Sequence, residues 1–433
     1  MAFGLRGSEA SIALDEIAGR TVLLSCDRQL AYARALIEMD GIARRIVVCP
    51  PDLPEQYIAP VLDEVGAHAI VTDGTWPKAY GRKIIQLPSA TSDFRISTWP
   101  MEPLKTEWVL FTSGTTGPPK MVVHTLQSLS GHLLPRAPRG RAVTWCTFYD
   151  VRRYGGLQVL LRALIGGGSV VLSSDRETPA AFLRRAAVHD ATHFLGTPSH
   201  WRRALMTSES RLISPDYVRL SGEVADQAIL DRLKALYPTA RLVHAFASTE
   251  TGVAFEVEDE RAGFPAAYID DDRSAGGVEL RVRDCSLWVR SDRVAAGRLD
   301  GEIRSFTDAD GFADTGDLVV RRGDRYHFVG RREGVVNVGG LKVHPEEVET
   351  VINRHPEVRM SLVRARANFV TGAVVSAEIV PEPDADPANS ASLAREVIDL
   401  CRRELPTHKV PATVRIVESL EIAPSGKLVR RRA

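Results

Sequence analysis

Hydrophobic and polar positions along this chain alternate between two periods. Apolar residues at helical spacing predict helices over Gln29 to Met39 and Ile58 to Val65, and short apolar runs predict strands at Arg45 to Cys49 and His68 to Thr72. Trp108 to Phe111 is another strand-like run. The most apolar window, Gly155 to Leu172, carries Arg162 and several glycines, so it reads as a helix, a glycine turn and a buried strand at Ser169 to Leu172 rather than a membrane span. The alternation resumes with helices at Pro179 to His189 and Ala225 to Leu236 and strands at His193 to Leu195 and Arg241 to Phe246. Helices and strands in this order argue for an α/β fold with parallel strands covered by helices. From about Gly276 to Phe328 the pattern changes to short strands divided by glycine and aspartate turns, which predicts a small β subdomain. Beyond Gly330, a helix over Pro345 to Asn353, alternating strands and a helix over Ser392 to Glu404 predict a small α+β C-terminal domain, with Pro381 to Ser390 as a solvated loop inside it.

Length and composition narrow the class. A chain of 433 residues exceeds one ordinary core and fits two or three domains. Its 44% apolar and 25% charged content is that of a globular protein, and its 55 basic residues balance its 55 acidic ones. No global charge draws it to nucleic acid or to an anionic membrane. The five cysteines, Cys26, Cys49, Cys146, Cys285 and Cys401, are scattered without metal-ligand spacing, and are expected to be reduced core thiols of a cytoplasmic protein. The first residues lack the apolar segment of a secretion signal.

The strand at Trp108 to Phe111 feeds directly into TSGTTGPPK, Thr112 to Lys120. Gly114 and Gly117 permit backbone angles that let successive amides converge on an anion. Thr112, Ser113, Thr115 and Thr116 add hydroxyls, and Lys120 a mobile positive charge. It is not a Walker A loop: Pro118 and Pro119 precede the lysine, and Met121 stands where a magnesium-binding hydroxyl belongs. A second cluster, AFASTETG at Ala245 to Gly252, closes a predicted strand, where ligands of open α/β sheets sit. A third, GFADTGDL at Gly311 to Leu318, is followed by GRREGVVNVGGLKVHPEEVE at Gly330 to Glu349, and the chain closes on APSGKLVRRR.

Together these motifs, in this order from Thr112 to the C-terminus, resemble those of the adenylate-forming superfamily, which includes the acyl- and aryl-CoA synthetases, the adenylation domains of peptide synthetases and firefly luciferase. The resemblance implies ATP and Mg²⁺ as cofactors. It assigns the phosphate loop to Thr112, Ser113, Gly114, Thr115, Thr116, Gly117 and Lys120, adenine stacking to Phe246, the α-phosphate to Thr249 and the metal to Glu250. A carboxylate suits Mg²⁺, which takes hard oxygen ligands and keeps phosphate oxygens and waters. Asp317 and Arg331 would reach the ribose, Glu333 would be the hinge, and Gly339 and Gly340 would line a tunnel for a pantetheine thiol. Lys427 would orient the attacking carboxylate and neutralise charge as pyrophosphate leaves. The implied domains are 1–332 for adenylation and 333–433 as a mobile C-terminal domain. Departures are Ala247 where a glycine is usual, Asp150 where a histidine is common, and a segment before Thr112 shorter than the family norm.

The reaction implied is activation of a carboxylic acid to acyl-AMP, followed by thioester formation with CoA after the small domain rotates. Residues expected around the acid are Tyr149, Tyr154, Gly155, Leu195, Thr197, Ser221, Gly222, Glu223 and Ala245; aromatic and glycine residues favour an aryl or short acyl group. Arg152 and Arg153 are expected on the surface, and His124, His193 and His200, without ligand spacing, are read as structural. Two alternatives stand beside CoA ligation. One passes the acyl group to a carrier-protein phosphopantetheine or to an amine, and the other is a nucleotide-binding regulator without turnover. The acid's identity, the acceptor, the pathway and the oligomeric state stay open.

Overall fold

The computed structural model describes residues 14–76, 80–87, 103–112, 118–131, 133, 142–174, 177–270, 277–368, 372–383, 385, 389–423 and 426–430. The chain divides into two compact units, one of residues up to 175 with 247–254 and 291–313, the other of 176–246, 255–290 and 314–433.

The first unit is built on an eight-stranded sheet. Its order is 302–304, 297–300, 120–125, 107–112, 45–48, 21–24, 69–72 and 83–86. The five strands Thr21–Leu24, Arg45–Val48, Ala69–Thr72, Lys83–Gln86 and Glu107–Thr112 are parallel, as the alternation predicts. Lys120–Thr125, Gly297–Asp300 and Glu302–Arg304 then run antiparallel, so the sheet is mixed rather than purely parallel. The strand TVLL is buried at every position because helices cover both faces, which is why such strands read as continuous apolar runs. Val22, Leu24, Ile46 and Val48 point into a core shared with Leu36, Met39 and Leu157. Their neighbours Leu23, Val47 and Ile70 point into a second core with Val61 and Leu62. The helices Gln29–Met39 and Glu55–Glu64 fall where the periodicity places them, and Tyr154–Gly166 followed by Ser169–Val171 resolves the apolar window into helix, turn and strand.

The second unit contains the parallel strands His193–Gly196, Tyr217–Ser221 and Arg241–Ser248, with the helices Pro179–Val188, Pro198–Ala204 and Gln227–Leu236. The region expected to be a β subdomain forms a five-stranded sheet, ordered 264–265, 325–331, 313–322, 286–290 and 279–283. In the C-terminal part, Val358–Asn368, Gly372–Pro381 and Thr413–Ile416 make a three-stranded sheet under the helices Pro345–Ile352 and Ser390–Glu404. Among the described residues no helix is long and apolar enough to cross a membrane.

Two expectations are corrected. Cys285 is exposed at a turn with φ of 62°, unlike the other four cysteines, which are buried. Arg152 is 3% exposed rather than on the surface. It pairs with Asp150 at 2.5 Å and donates to the Cys26 and Asp27 carbonyls at 2.9 and 3.0 Å, so its charge is consumed within the fold. Arg153 pairs with Asp52.

Candidate active site

In the first unit the strands Glu107–Thr112 and Lys120–Thr125 form an antiparallel pair with Thr112 opposite Lys120. The connection between them is the predicted phosphate loop, whose Ser113, Gly114, Thr115, Thr116 and Gly117 lie outside the described residues. Lys120 is exposed at the start of its strand. Thr249 and Glu250 lie in the same unit. The Thr249 carbonyl accepts from His124 Nε2 at 2.6 Å, and the Glu250 carbonyl accepts from the Ala295 amide at 2.9 Å. The Glu250 side chain is half-buried and has no hydrogen-bond or ion-pair partner among the described residues, which also contain no cluster of three metal-ligating side chains. One unpaired carboxylate fits Mg²⁺ held mainly by substrate phosphates and poorly fits a metal that needs an all-protein cage. His124 is fully buried, and burial pushes its pKa down to about 4, so the ring is neutral.

Tyr149, Tyr154 and Gly155, expected on the acid side, are also brought together here. Both tyrosines are buried. A Cβ on Gly155 would stand 3.2 Å from the Tyr149 ring, so glycine permits their contact, and the Tyr154 ring lies 5.9 Å from that of His124.

In the second unit, Thr197 ends the strand His193–Gly196 and caps the helix Pro198–Ala204 by accepting from the His200 amide at 3.0 Å. Its hydroxyl then donates to the Gly426 carbonyl at 2.6 Å. Glu223 acts as a clip: one carboxylate oxygen accepts from the Ser199 amide at 2.9 Å, the other from the Leu428 amide at 3.0 Å. The C-terminal segment 426–428 is thereby held against residues 197–223, and a Cβ on Gly222 would lie 3.5 Å from Lys427 Cε. Ser221, the last residue of its strand and adjacent to Gly222, pairs in parallel register with Ala245 of Arg241–Ser248.

The two residues expected at the ribose are also brought together. Asp317 and Arg331 face each other across antiparallel strands, with 3.4 Å between Asp317 Oδ1 and Arg331 Nε. The Asp317 amide donates to Thr315 Oγ1 at 3.0 Å, which steadies the carboxylate's backbone. Phe246 lies in an aromatic stack with Phe328 and Phe255, at centroid distances of 5.0 and 5.7 Å. Glu333 is exposed in the turn Arg332–Gly334. Gly339 and Gly340 connect the hairpin Val336–Val338 and Leu341–Val343, with φ of 57° and 88°, the positive pair a two-residue hairpin turn needs.

Sequence reasoning missed several contributors. Arg430, three residues beyond Lys427, makes two bonds to Glu349, at 2.7 and 2.6 Å. Arg202, 5% exposed, donates to the Arg359 carbonyl at 2.9 Å and to Asp226 at 2.5 Å, and Asn353 reaches the same carboxylate at 2.9 Å. The only local signal was the capping pattern at Thr197 and Asp226, because partners over a hundred residues apart leave no spacing to read.

His200, buried beside this segment, has its pKa pushed down to about 3 by burial, reinforced by Arg203. The folded-state value lies below the usual 6.5, so the unfolded chain takes up the proton first as pH falls. Stability is full above pH 6.5 and declines toward pH 3, by on the order of 3 kcal/mol at pH 4. Denaturant midpoints of wild type and His200→Gln, compared at pH 7 and pH 4, should show a smaller pH loss in the variant; equal losses would remove His200 as the cause.

The chain matches the family model described as AMP-binding enzyme over residues 18–299, and the AMP-binding enzyme C-terminal domain over 347–427. It belongs to the AMP-binding, adenylate-forming enzyme family. Among its relatives, phenyloxazoline synthase MbtB of Mycolicibacterium paratuberculosis is 29% identical over 378 residues, covering 80% of this chain and 31% of the relative. The anguibactin system regulator of Vibrio anguillarum is 27% identical over 360 residues, covering 75% of this chain and 34% of the relative. The chain thus spans about a third of the length of these relatives. A solved structure of the anthranilate CoA ligase AuaEII with anthranoyl-AMP shares the fold, with TM-score 0.75 and 17% identity over 96% of this chain and 87% of that one.

Proposed function

We propose that this chain uses ATP to activate a carboxylic acid as its acyl-adenylate and then transfers the acyl group to CoA. The carboxylate oxygen bonds to the α-phosphorus as pyrophosphate leaves. The thiol sulfur then bonds to the acyl carbon as AMP leaves and the thiol proton passes to solvent. The observation that carries this reading is the docked C-terminal segment: Thr197 and Glu223 hold residues 426 and 428, and Lys427 between them lies along Gly222. Nucleotide binding alone has no need of a lysine delivered this way.

Lys427 orients the acid and stabilises the charge developing on the phosphates. Thr249 bonds the α-phosphate, Lys120 and the loop before it take the outer phosphates, Asp317 and Arg331 take the ribose, and the base lies against Phe246. Glu250 holds Mg²⁺, which when bound neutralises phosphate oxygens. Tyr149, Tyr154, Gly155, Ser221, Gly222 and Ala245 are the residues assigned to the acid, and two tyrosines with small residues among them favour a flat aryl or short acyl group. Residues 1–332 and 333–433 act as adenylation and mobile domains, hinged at Glu333, with Gly339 and Gly340 on the thiol's path.

A carrier-protein pantetheine is the second acceptor, favoured by the much longer synthase among the relatives. The regulator among them keeps the non-catalytic reading in view, and retention of Lys120, Glu250, Asp317, Arg331 and Lys427 argues against it. Acid-dependent ATP–pyrophosphate exchange with benzoates, heteroaryl acids, fatty acids and amino acids tests the first step. Exchange with one class is expected, and CoA against a phosphopantetheinylated carrier then separates the acceptors. Absence of exchange with every acid in protein that binds ATP would overturn the enzymatic reading.

A further inference from the structure

Thr249 and Glu250 sit on irregular backbone between the strands Arg241–Ser248 and Gly252–Val257, where a side chain's aim depends on what fixes the peptide planes. Three bonds do so. The Thr251 amide donates to Ser248 Oγ at 3.0 Å, and the Ala295 amide donates to the Glu250 carbonyl. The third, at 2.6 Å, is His124 Nε2 to the Thr249 carbonyl.

His124 is placed for this with little freedom. It lies four residues after Lys120 on Lys120–Thr125, paired with Trp108, and its side chain is fully buried. A carbonyl oxygen can only accept, so Nε2 carries the hydrogen and Nδ1 must accept. Ser128 Oγ lies 2.9 Å from Nδ1 and 3.0 Å from the Thr125 carbonyl, two acceptors for its one hydrogen, while it accepts from the Thr125 amide at 3.0 Å at the start of the helix Leu126–Ser130. The Thr249 carbonyl therefore sets the tautomer, and the contact with Ser128 helps to hold the ring plane. On its other side the ring meets Tyr154.

We infer that His124 is a positioning residue for adenylation: its Nε2–H fixes the Thr249 carbonyl, and with it the aim of the Thr249 hydroxyl and Glu250 carboxylate, while its contact with Tyr154 links them to the acid side. This rests on the roles proposed above for Thr249 and Glu250. A filler of the same cavity would need shape alone. A positioning residue needs a donor where Nε2 stands. Gln can place an amide N–H there; Asn is a carbon shorter and reaches only the Nδ1 position.

The test compares His124→Gln, His124→Asn and Glu250→Gln in acid-dependent ATP–pyrophosphate exchange, with thermal midpoints measured beside the rates. His124→Asn should lose about 30- to 100-fold in kcat with KM for ATP changed by less than about threefold, as expected when orientation rather than binding is lost. His124→Gln should retain at least about a third of the wild-type kcat at a similar thermal midpoint. Equal rates for the Gln and Asn variants, or a loss that follows thermal stability alone, would overturn the inference. Wild-type exchange in Glu250→Gln would instead overturn the underlying assignment of Glu250. Loss in Glu250→Gln with full rate in His124→Asn would reject His124 alone.

Discussion

Replacing Lys427 with Ala should reduce ATP–pyrophosphate exchange by at least about 10²–10³-fold, the usual cost of removing one group aimed at charge that develops in the transition state. ATP binding should change little, because the role proposed for the ammonium is on the reacting carboxylate and α-phosphate rather than on the base or ribose. Lys427 is itself exposed, while Gly426 before it is buried and Leu428 after it is bonded to Glu223. The segment is therefore fixed by its neighbours, and truncating the lysine should leave folding intact. Thioester formation from a supplied acyl-AMP should persist in the variant, since in the proposed reaction the small domain has rotated and carried Lys427 away before the thiol attacks. Exchange at the wild-type rate would remove Lys427 from the mechanism. Equal loss in both half-reactions would instead mark it as a structural contact.

What could be read in the sequence was the family, carried by short contiguous strings. Each motif read as a phosphate, ribose or terminal motif is local, its residues standing a few positions apart in the chain. The parallel core was legible for a similar reason, since TVLL and RIVV are buried on both faces and leave unbroken apolar runs. The strand Lys83–Gln86 was not legible, because only Ile85 of its four residues is buried, as befits a sheet edge. The antiparallel strands 297–300 and 302–304 join the first sheet from far along the chain, and their short polar sequences gave no sign of that partner. Side chains that position others were the least visible. His124 looks like any core histidine until Thr249 is seen against it, and Glu223 looks like an acid-site residue until its two oxygens are found on residues 199 and 428. Arg152 was misplaced because a lone arginine is usually exposed, whereas this one carries Asp150 into the interior with it.

Gly426→Ala, a change of one methyl, should damage adenylation nearly as much as loss of Lys427. Gly426 has φ of 78°, where any other residue is strained by about 1–2 kcal/mol. The larger obstacle is steric. A Cβ there would lie 1.8 Å from His200 Cε1 and 2.3 Å from Nε2, and that ring is held by the bond from the Thr197 amide to Nδ1 at 3.1 Å. The ring therefore cannot swing aside without breaking the cap of Pro198–Ala204, so the segment 426–428 must lift away. Lifting it breaks the Thr197 bond to the Gly426 carbonyl and the Glu223 bond to the Leu428 amide together, which withdraws Lys427 from Gly222. We expect exchange to fall by at least about 10²-fold, consistent with the sensitivity of catalysis to ångström-scale displacement, with a thermal midpoint close to wild type. His200→Ala should restore part of that activity in the double variant by removing the ring the methyl would strike. Restoration should be incomplete, because the backbone strain at 426 and the lost bond to the Thr197 amide both remain. Gly426→Ala with wild-type exchange would show that the docked segment is not the one that performs the chemistry. A loss that the second substitution leaves untouched would assign the glycine's importance to its backbone angle alone.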